Sequence, residues 1–176
     1  LPTGEAQSGG DTTGAIQATP VESQYAVAPA NLSGWFITGQ EADILLSGID
    51  FNNTGGSLLF NHPKGIASDG VRLLLADGNN NRVLIWNSLP TGDTPPDLLL
   101  GQPDFTSNNP GSGRRQLNWP VSVAAAGGRV VVADTYNDRI LIWTSWPRSS
   151  GESATFALAG PDIGWPWGVW TDNERL

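Results

Sequence analysis

The sequence predicts an all-β fold built from repeated antiparallel units, and an internal repeat is the main reason. The stretch Leu73–Trp86 returns as Val130–Trp143, 57 residues later, with two apolar runs flanking a short polar connection in each copy. Each copy therefore predicts a β-hairpin. The apolar runs Val83–Trp86 and Ile140–Trp143 are short and rich in β-branched and aromatic residues, which favours strands over helices.

Matching segments on both sides extend the repeat beyond the hairpin. Upstream, His62–Asp69 matches Trp119–Ala126, and downstream, Leu98–Phe105 recurs as Phe156–Ile163. One unit is thus a strand after a proline, a hairpin, a linker and a last strand. Four antiparallel strands per unit, repeated along the chain, predict β-propeller blades.

Two partial copies flank the two full units. Trp165–Asp172 predicts the first strand of another blade, and Ile44–Phe51 matches the last strand of a blade. We interpret Ile44–Gly48 as a closing strand whose partners belong to another blade, and we predict a further short strand at Trp35–Thr38. Two full blades cannot close a ring, since known rings have at least about four. We therefore expect an incomplete ring, completed by further blades from a longer chain or from other subunits.

The repeated residues resemble a known family. The pattern Pro-x-Gly-Ile-Ala-x-Asp-Gly, at residues 63–70, and Leu-Ala-Asp-x-x-Asn-x-Arg-Val, at residues 75–83, are similar to the NHL repeat of β-propeller proteins. Leu-Gly-Gln-Pro-Asp-Phe, at residues 100–105, resembles the variant in bacterial extracellular NHL-repeat proteins. The resemblance covers roughly residues 41–176 and implies a propeller outside the cell or on its surface. Ser122 and Ala126 depart from it, because they replace the usual glycine and acid.

Composition limits the possible functions. With 9 basic and 17 acidic residues the chain carries a net charge of -8, so no basic face for nucleic-acid phosphates is expected. No apolar run is long enough to insert into a membrane. The chain has no cysteine, which excludes disulfides and thiolate metal sites. It also has no methionine, which predicts a processed or excised piece of a longer protein.

Composition also divides the chain into two parts. Residues 1–33 are rich in Gly, Ser, Thr and Ala and contain few bulky apolar groups, so we predict a flexible linker. Residues 34–176 form the predicted partial NHL propeller. Because each strand reverses direction, the hairpin turns and the residues just before the first strands should share one rim of the propeller.

The charged pairs of the two hairpin turns are the first candidate residues. Asp77 with Arg82, and Asp134 with Arg139, have the composition of catalytic pairs. Their repetition in each blade favours a structural role instead, because a carboxylate and a guanidinium supply the hydrogen bonds that a turn needs. We therefore predict structural turn pairs and assign no catalytic residue.

Aromatic residues and the single histidine are the candidates for a ligand rim. His62, Trp119, Trp165 and Trp167 stand before or within first strands, at the predicted rim. Tryptophans there are suited to stacking on a sugar or a peptide, or else to packing between blades. Trp86 and Trp143, in the hairpins, are predicted to pack between blades.

Metal ligands are sparse in the sequence. A zinc site of several histidines, as in the peptide-amidating lyase that resembles this family, would need more than the single His62. Near the first strands, oxygen ligands could hold Ca²⁺ as in propeller lactonases, but Ala126 interrupts the ring of acids. We therefore expect no cofactor, with Ca²⁺ as the alternative. The oxygen ligands in question are Asn61, Asp69, Asn118 and Asp172.

Two functions remain open from the sequence. The first is a non-catalytic, extracellular binding or scaffold module that presents a propeller rim to a protein or a glycan. The second is an enzyme of the propeller hydrolase, lactonase or lyase kind, with a metal in the central channel. We favour the first, because no polar constellation is unique to one blade.

Overall fold

The computed structural model describes residues 40–46, 56–172 and 174–176. In these residues the secondary structure consists of β-strands and two single turns of 3₁₀ helix. Eight strands form two four-stranded antiparallel sheets, with strand order β1-β2-β3-β4 and β5-β6-β7-β8. These sheets are called blade 1 and blade 2 below. The strands are β1 (Pro63–Ser68), β2 (Leu73–Asp77), β3 (Arg82–Trp86), β4 (Leu98–Leu100), β5 (Pro120–Ala126), β6 (Arg129–Asp134), β7 (Arg139–Trp143) and β8 (Phe156–Ala159).

The two blades have equivalent registers, which confirms the predicted fold class. Asp77 lies opposite Arg82 in blade 1, and Asp134 lies opposite Arg139 in blade 2. Both hairpins are joined by one turn of 3₁₀ helix, at Gly78–Asn80 and at Thr135–Asn137, called turn 1 and turn 2. The first strand of each blade has a register shift just after its proline, so the two blades share this irregularity as well.

The main hydrophobic core lies between the two blades. The central strands β2, β3, β6 and β7 have β-branched or leucine side chains on both faces, and one face of blade 1 packs directly on one face of blade 2. Trp143, at the end of β7, belongs to this core, as predicted. The buried members are Leu74, Ala76, Val83, Ile85, Leu100, Leu117, Val123, Val130, Val132, Leu141, Trp143 and Ala154.

The other face of blade 1 carries a second, smaller cluster. Trp86 packs there with Leu84 and Leu99, and loop residues such as Phe60 and Phe105 cover part of it. Trp86 therefore lies on the outward face of blade 1, at a position equivalent to that of Trp143 in blade 2. Both tryptophans are buried because they occupy the same position in the repeat. Trp143 lies between the two described blades, whereas Trp86 does not.

Two predicted strands are not observed. Ile44–Leu46 and Trp165–Asp172 have no strand conformation in the described chain. The reason is physical, because a strand needs the ladder hydrogen bonds of a neighbour, and the β-branched residues alone do not supply them. The predicted strand Trp35–Thr38, the predicted linker at residues 1–33 and the end of the proposed closing strand lie outside the described residues. Within the described part of the chain, no helix has the length and apolarity to cross a lipid bilayer.

Candidate functional site

The two hairpin turns are built around a buried carboxylate. In blade 1, Asp77 is fully buried, and its Oδ1 accepts the backbone N–H of Asn61 at 2.7 Å. Its Oδ2 accepts Arg82 Nε at 2.8 Å and Asn80 Nδ2 at 2.8 Å. The carboxylate therefore joins the turn to the chain that leads into β1.

Blade 2 repeats this arrangement bond for bond. Asp134 accepts the backbone N–H of Asn118 at 2.7 Å, Arg139 Nε at 2.7 Å and Asn137 Nδ2 at 2.8 Å. Burial raises the pKa of the Asp134 carboxyl above its ordinary value, although the donors of Asn137, Asn118 and Arg139 act in the opposite direction. A buried carboxylate needs these donors, since a charge without them is costly in the interior.

The two arginines use their remaining donors on backbone carbonyls. Arg82 Nη1 donates to Phe105 O at 2.7 Å, and its Nη2 donates to Gly56 O and Leu59 O, both at 3.1 Å. Arg139 donates in the same way to the carbonyls of Ser112, Gly113 and Gln116. Each guanidinium thus fixes the loop that leads into its blade, and Arg82 also holds the segment that follows β4. The guanidinium groups therefore donate to backbone carbonyls and carboxylates of the chain itself, and both Asp–Arg pairs are buried in the protein interior.

A contact between consecutive blades was not foreseen from the sequence. Asn81, just after turn 1, has a left-handed backbone (φ 53°), and its Oδ1 accepts the backbone N–H of Trp119 at 2.7 Å. Asp138 has the same conformation (φ 49°), and its Oδ1 accepts the N–H of Trp165 at 2.8 Å. The sequence did contain a signal for this conformation, because Asn and Asp tolerate a left-handed backbone and one of them precedes the repeated arginine in each blade.

The residues before the three repeated prolines share an unusual backbone. His62, Trp119 and Trp165 each precede a proline, and each has a positive φ, of 52°, 53° and 46°. A bulky residue is strained there, and such strain persists only where the surroundings hold it. The side chains of Asn81 and Asp138 supply that support for the two tryptophans. Trp165–Asp172 therefore keeps the geometry of a blade start although it forms no strand.

The aromatic residues of this rim form one cluster. Trp119 stacks on Tyr136 with ring centroids 4.5 Å apart and an interplanar angle of 30°. Trp165 and Trp167 meet Trp119 edge-on, at 6.5 Å and 5.6 Å, and Trp165 also meets Tyr136 at 5.3 Å. The exposed fractions are 50% for Tyr136, 54% for Trp165 and 60% for Trp167. We call these four residues the rim cluster. Tyr136 was missed because its counterpart in turn 1 is Asn79.

His62 lies in a polar network beside this cluster. Its Nδ1 is 2.8 Å from Asn61 Oδ1 and 3.0 Å from Asn79 Nδ2. Asn79 Oδ1 accepts Trp119 Nε1 at 3.1 Å, so the network is continuous with the aromatic rings. The ammonium group of Lys64 lies 5.3 Å from the centre of the Trp119 ring. Both His62 and Lys64 are exposed, and the rim therefore combines rings with amide, imidazole and ammonium donors.

The two carboxylates considered for Ca²⁺ are engaged in hydrogen bonds with neighbouring residues. Asp69 accepts the N–H groups of Val71 and Arg72, and these donors lower the pKa of its carboxyl despite partial burial. Asp172 accepts from the backbone and side chain of Arg175, which lowers its pKa. In the described residues no group of three or more His, Cys, Asp or Glu side chains is arranged to hold a metal ion.

The comparison with protein families identifies the repeat. Residues 117–143, which run from the approach to β5 through the second hairpin, match the family model of the NHL repeat. The chain carries an NHL repeat. Blade 2 is thus an NHL blade, and blade 1 shares its topology, its buried Asp–Arg pair and its 3₁₀ turn. No curated protein is similar enough to the chain to count as a relative.

Several solved structures share features of the fold. One is the PQQ-bound form of aldose sugar dehydrogenase from Streptomyces coelicolor, with a TM-score of 0.39 and 17% sequence identity. The match covers 64% of this chain and 34% of the dehydrogenase, so the chain spans about a third of the length of that protein. A likeness at this level carries no argument about activity.

Proposed function

We propose that this chain is a non-catalytic binding or scaffold module that presents the rim of its NHL-type blades to a protein or a glycan. One observation carries the proposal, namely the rim cluster of Trp119, Tyr136, Trp165 and Trp167. Tryptophan and tyrosine combine a large apolar surface with a polar tip, which suits them to binding surfaces that are wet on one side. Three of the four rings are at least half exposed, where packing alone would bury them.

The polar atoms at this rim support a ligand with hydrogen-bond acceptors. In the described part of the chain, Trp165 Nε1, Trp167 Nε1 and the Tyr136 hydroxyl have no intramolecular partner. His62 and Lys64 add further donors at the edge of the cluster. The rings lie against one another at 4.5–6.5 Å, so no space remains between them and a ligand must lie on their outer faces.

The Asp–Arg pairs support a non-catalytic function. A catalytic pair needs at least one group directed at a substrate, whereas Asp77, Arg82, Asp134 and Arg139 are buried and bonded to the backbone on all sides. The resemblance of residues 100–105 to bacterial extracellular NHL-repeat proteins supports an extracellular location as part of this proposal. A propeller hydrolase, lactonase or lyase is the alternative, and no specific arrangement of the described side chains favours it.

A two-step experiment tests the proposal. The chain is first screened against a printed glycan array and a displayed random-peptide library, and each hit is then titrated by tryptophan fluorescence. Trp167→Ala should weaken binding of a true rim ligand by at least about tenfold, because removal of a central aromatic contact typically costs 2 kcal/mol or more. Trp170→Ala is the matched control, since Trp170 is 58% exposed but has no ring contact with the rim cluster.

Two outcomes would contradict the proposal. The first is the absence of any glycan or peptide hit with the folded chain. The second is a hit that binds Trp167→Ala as tightly as the unmodified chain, because its site would then lie outside the rim cluster.

A further inference from the structure

A pocket lies at the junction between the two blades, and none of its lining residues belongs to the rim cluster. The pocket has a volume of about 380 Å³ and is lined by Gln102, Pro103, Arg115, Gln116, Ser150 and Gly151. Gln102 follows β4 of blade 1, and Ser150 and Gly151 belong to the linker between β7 and β8 of blade 2. The volume is in the range of small-molecule pockets, which begin at about 300 Å³.

The linker of blade 2 is attached to blade 1 beside this pocket. Gly151 N–H donates to Leu99 O at 2.8 Å, and Leu99 N–H donates to Ser150 Oγ at 3.3 Å. Gly151 has a φ of 65°, and a Cβ at this position would lie 3.1 Å from Gln102 O. Glycine therefore allows the linker to approach the wall of the pocket closely.

Gln102 forms the fixed wall of the pocket. Its exposed fraction is 2%, and its Nε2 donates to Asn81 O and to Asn109 O, both at 2.9 Å. These two bonds hold the amide in one orientation. Among the described residues, Gln102 Oε1 accepts no hydrogen bond, and because Gln102 lines the pocket we infer that this oxygen is available to a ligand there.

Arg115 supplies a positive charge at the same pocket. Its side chain is exposed and forms no ion pair with an acid of the described chain, whose four Asp–Arg pairs involve other arginines. The neighbouring Arg114 differs, because its Nη1 donates to Thr155 O at 3.1 Å. Arg115 is thus the one arginine among the residues that line this pocket, and its guanidinium is not used by an ion pair of the described chain.

These groups define the chemistry of a ligand. A guanidinium favours a carboxylate, which it can bind through two parallel hydrogen bonds. The acceptor Gln102 Oε1 needs a donor in the ligand, which a carboxylate alone does not provide. The Ser150 hydroxyl, which accepts from Leu99, keeps its own proton for a further acceptor.

We propose that this pocket binds a small hydroxylated carboxylate of the sugar-acid type. The carboxylate lies on Arg115, one ligand hydroxyl donates to Gln102 Oε1, and a second ligand oxygen accepts from Ser150. The site is independent of the rim cluster and of the function proposed for it.

The test is isothermal titration of the chain with D-glucuronate. Glucose lacks the carboxylate and acetate lacks the hydroxyls, so each should bind at least about tenfold more weakly than glucuronate. Arg115→Gln should weaken glucuronate binding by about tenfold or more, because it removes the charge-assisted contact. Arg148→Gln is the matched control, since it removes one exposed arginine that does not line the pocket, and it should leave binding unchanged.

Other results would overturn the proposal. Absence of glucuronate binding would refute the site, and equal binding of acetate or inorganic phosphate would refute the hydroxylated class by showing a simple anion site. Equal losses in Arg115→Gln and Arg148→Gln would show that net charge, and not the pocket, attracts the ligand. Loss of binding in Trp167→Ala as well would place glucuronate at the rim.

Discussion

Turn 1 and turn 2 have the same interior and different tips. In both turns an aspartate, an asparagine and an arginine bond to one another and to the incoming backbone, at Asp77, Asn80 and Arg82 in blade 1. At the tip, Asn79 of turn 1 is replaced by Tyr136 in turn 2, and the preceding His62 is replaced by Trp119. The interior is constant because it satisfies buried backbone groups. The tip is free to vary, so the blades differ where a partner can reach them.

The largest expected effect comes from breaking the interior of a turn. Asp77→Ala should destabilise the chain by about 3–5 kcal/mol, because it leaves Arg82 buried without its carboxylate and the N–H of Asn61 without an acceptor. Asp134→Ala should have an effect of the same size, since the two interiors are equivalent. Urea unfolding measures both losses.

A double-mutant cycle separates the pair from its neighbours. Asp77→Ala, Arg82→Ala and the double variant should show clear coupling, because both partners share one buried hydrogen bond of 2.8 Å. Strictly additive losses would mean that the carboxylate and the guanidinium act independently, and the structural interpretation of the pair would then be wrong.

The contact between blades should give a smaller effect. Asn81→Ala should cost about 1–2 kcal/mol, because it removes the acceptor of the Trp119 N–H and places alanine at a positive φ. Asn81→Gly keeps the backbone conformation at no steric cost, so it should lose less than Asn81→Ala. Asp138→Asn converts the second contact into the first and should be nearly neutral in thermal melts. Equal losses for Asn81→Gly and Asn81→Ala would show that the hydrogen bond alone determines the effect.

Exchange of a tip should affect stability much less than loss of a turn interior. Tyr136→Asn gives turn 2 the residue found in turn 1 and removes one ring from the rim cluster. We expect a loss of about 0.5–1.5 kcal/mol, the usual contribution of an aromatic pair. A loss as large as that of Asp134→Ala would contradict the division between interior and tip.

A pH effect is expected in the segment after β4. Hydrogen bonds from the Thr106 and Ser107 side chains and backbone lower the pKa of Asp104 to about 2. Because the pKa of Asp104 is lower in the folded chain than in the unfolded chain, its ionised form stabilises the fold at any pH above its ordinary pKa. This stabilisation is lost as the pH falls towards 2. The fall in melting temperature between pH 5 and pH 2 should therefore be smaller in Asp104→Asn, with Asp162→Asn as the control at the equivalent position of blade 2. An NMR titration that gives Asp104 an ordinary pKa would contradict this.

The parts of the fold that could be predicted are those encoded in short segments that recur at a constant spacing along the sequence. Hairpins, first strands and last strands were visible from apolar runs and turn residues at a constant spacing. The predictions of strands at Trp165–Asp172 and Ile44–Leu46 were wrong, because their apolar pattern matches a strand but no strand among the described residues pairs with them. An apolar pattern shows that a segment is able to form a strand, but the strand forms only where a neighbouring strand supplies the hydrogen bonds.

The site was less accessible to sequence reasoning. His62, Trp119, Trp165 and Trp167 were selected by position, but the ring contacts with Tyr136 depend on how turn 2 packs against the residue before β5 and against the segment after β8. The bonds from Asn81 and Asp138 join turn 1 to the start of blade 2 and turn 2 to the segment after β8, and each bridges more than 25 residues. Gln102 was noticed only as part of a motif, and its role as the wall of a pocket follows from bonds to two separate loops.

The central claim is that the turn interior maintains the fold while the rim cluster binds the partner. The most direct test measures both properties on two variants, with the rim ligand identified by the array or library screen. Arg139→Ala should lose stability in urea while its folded fraction keeps the affinity for that ligand. Trp167→Ala should lose only the contribution of one aromatic pair, about 0.5–1.5 kcal/mol of stability, and at least about tenfold in affinity. A loss of affinity in fully folded Arg139→Ala, with unchanged affinity in Trp167→Ala, would contradict the account.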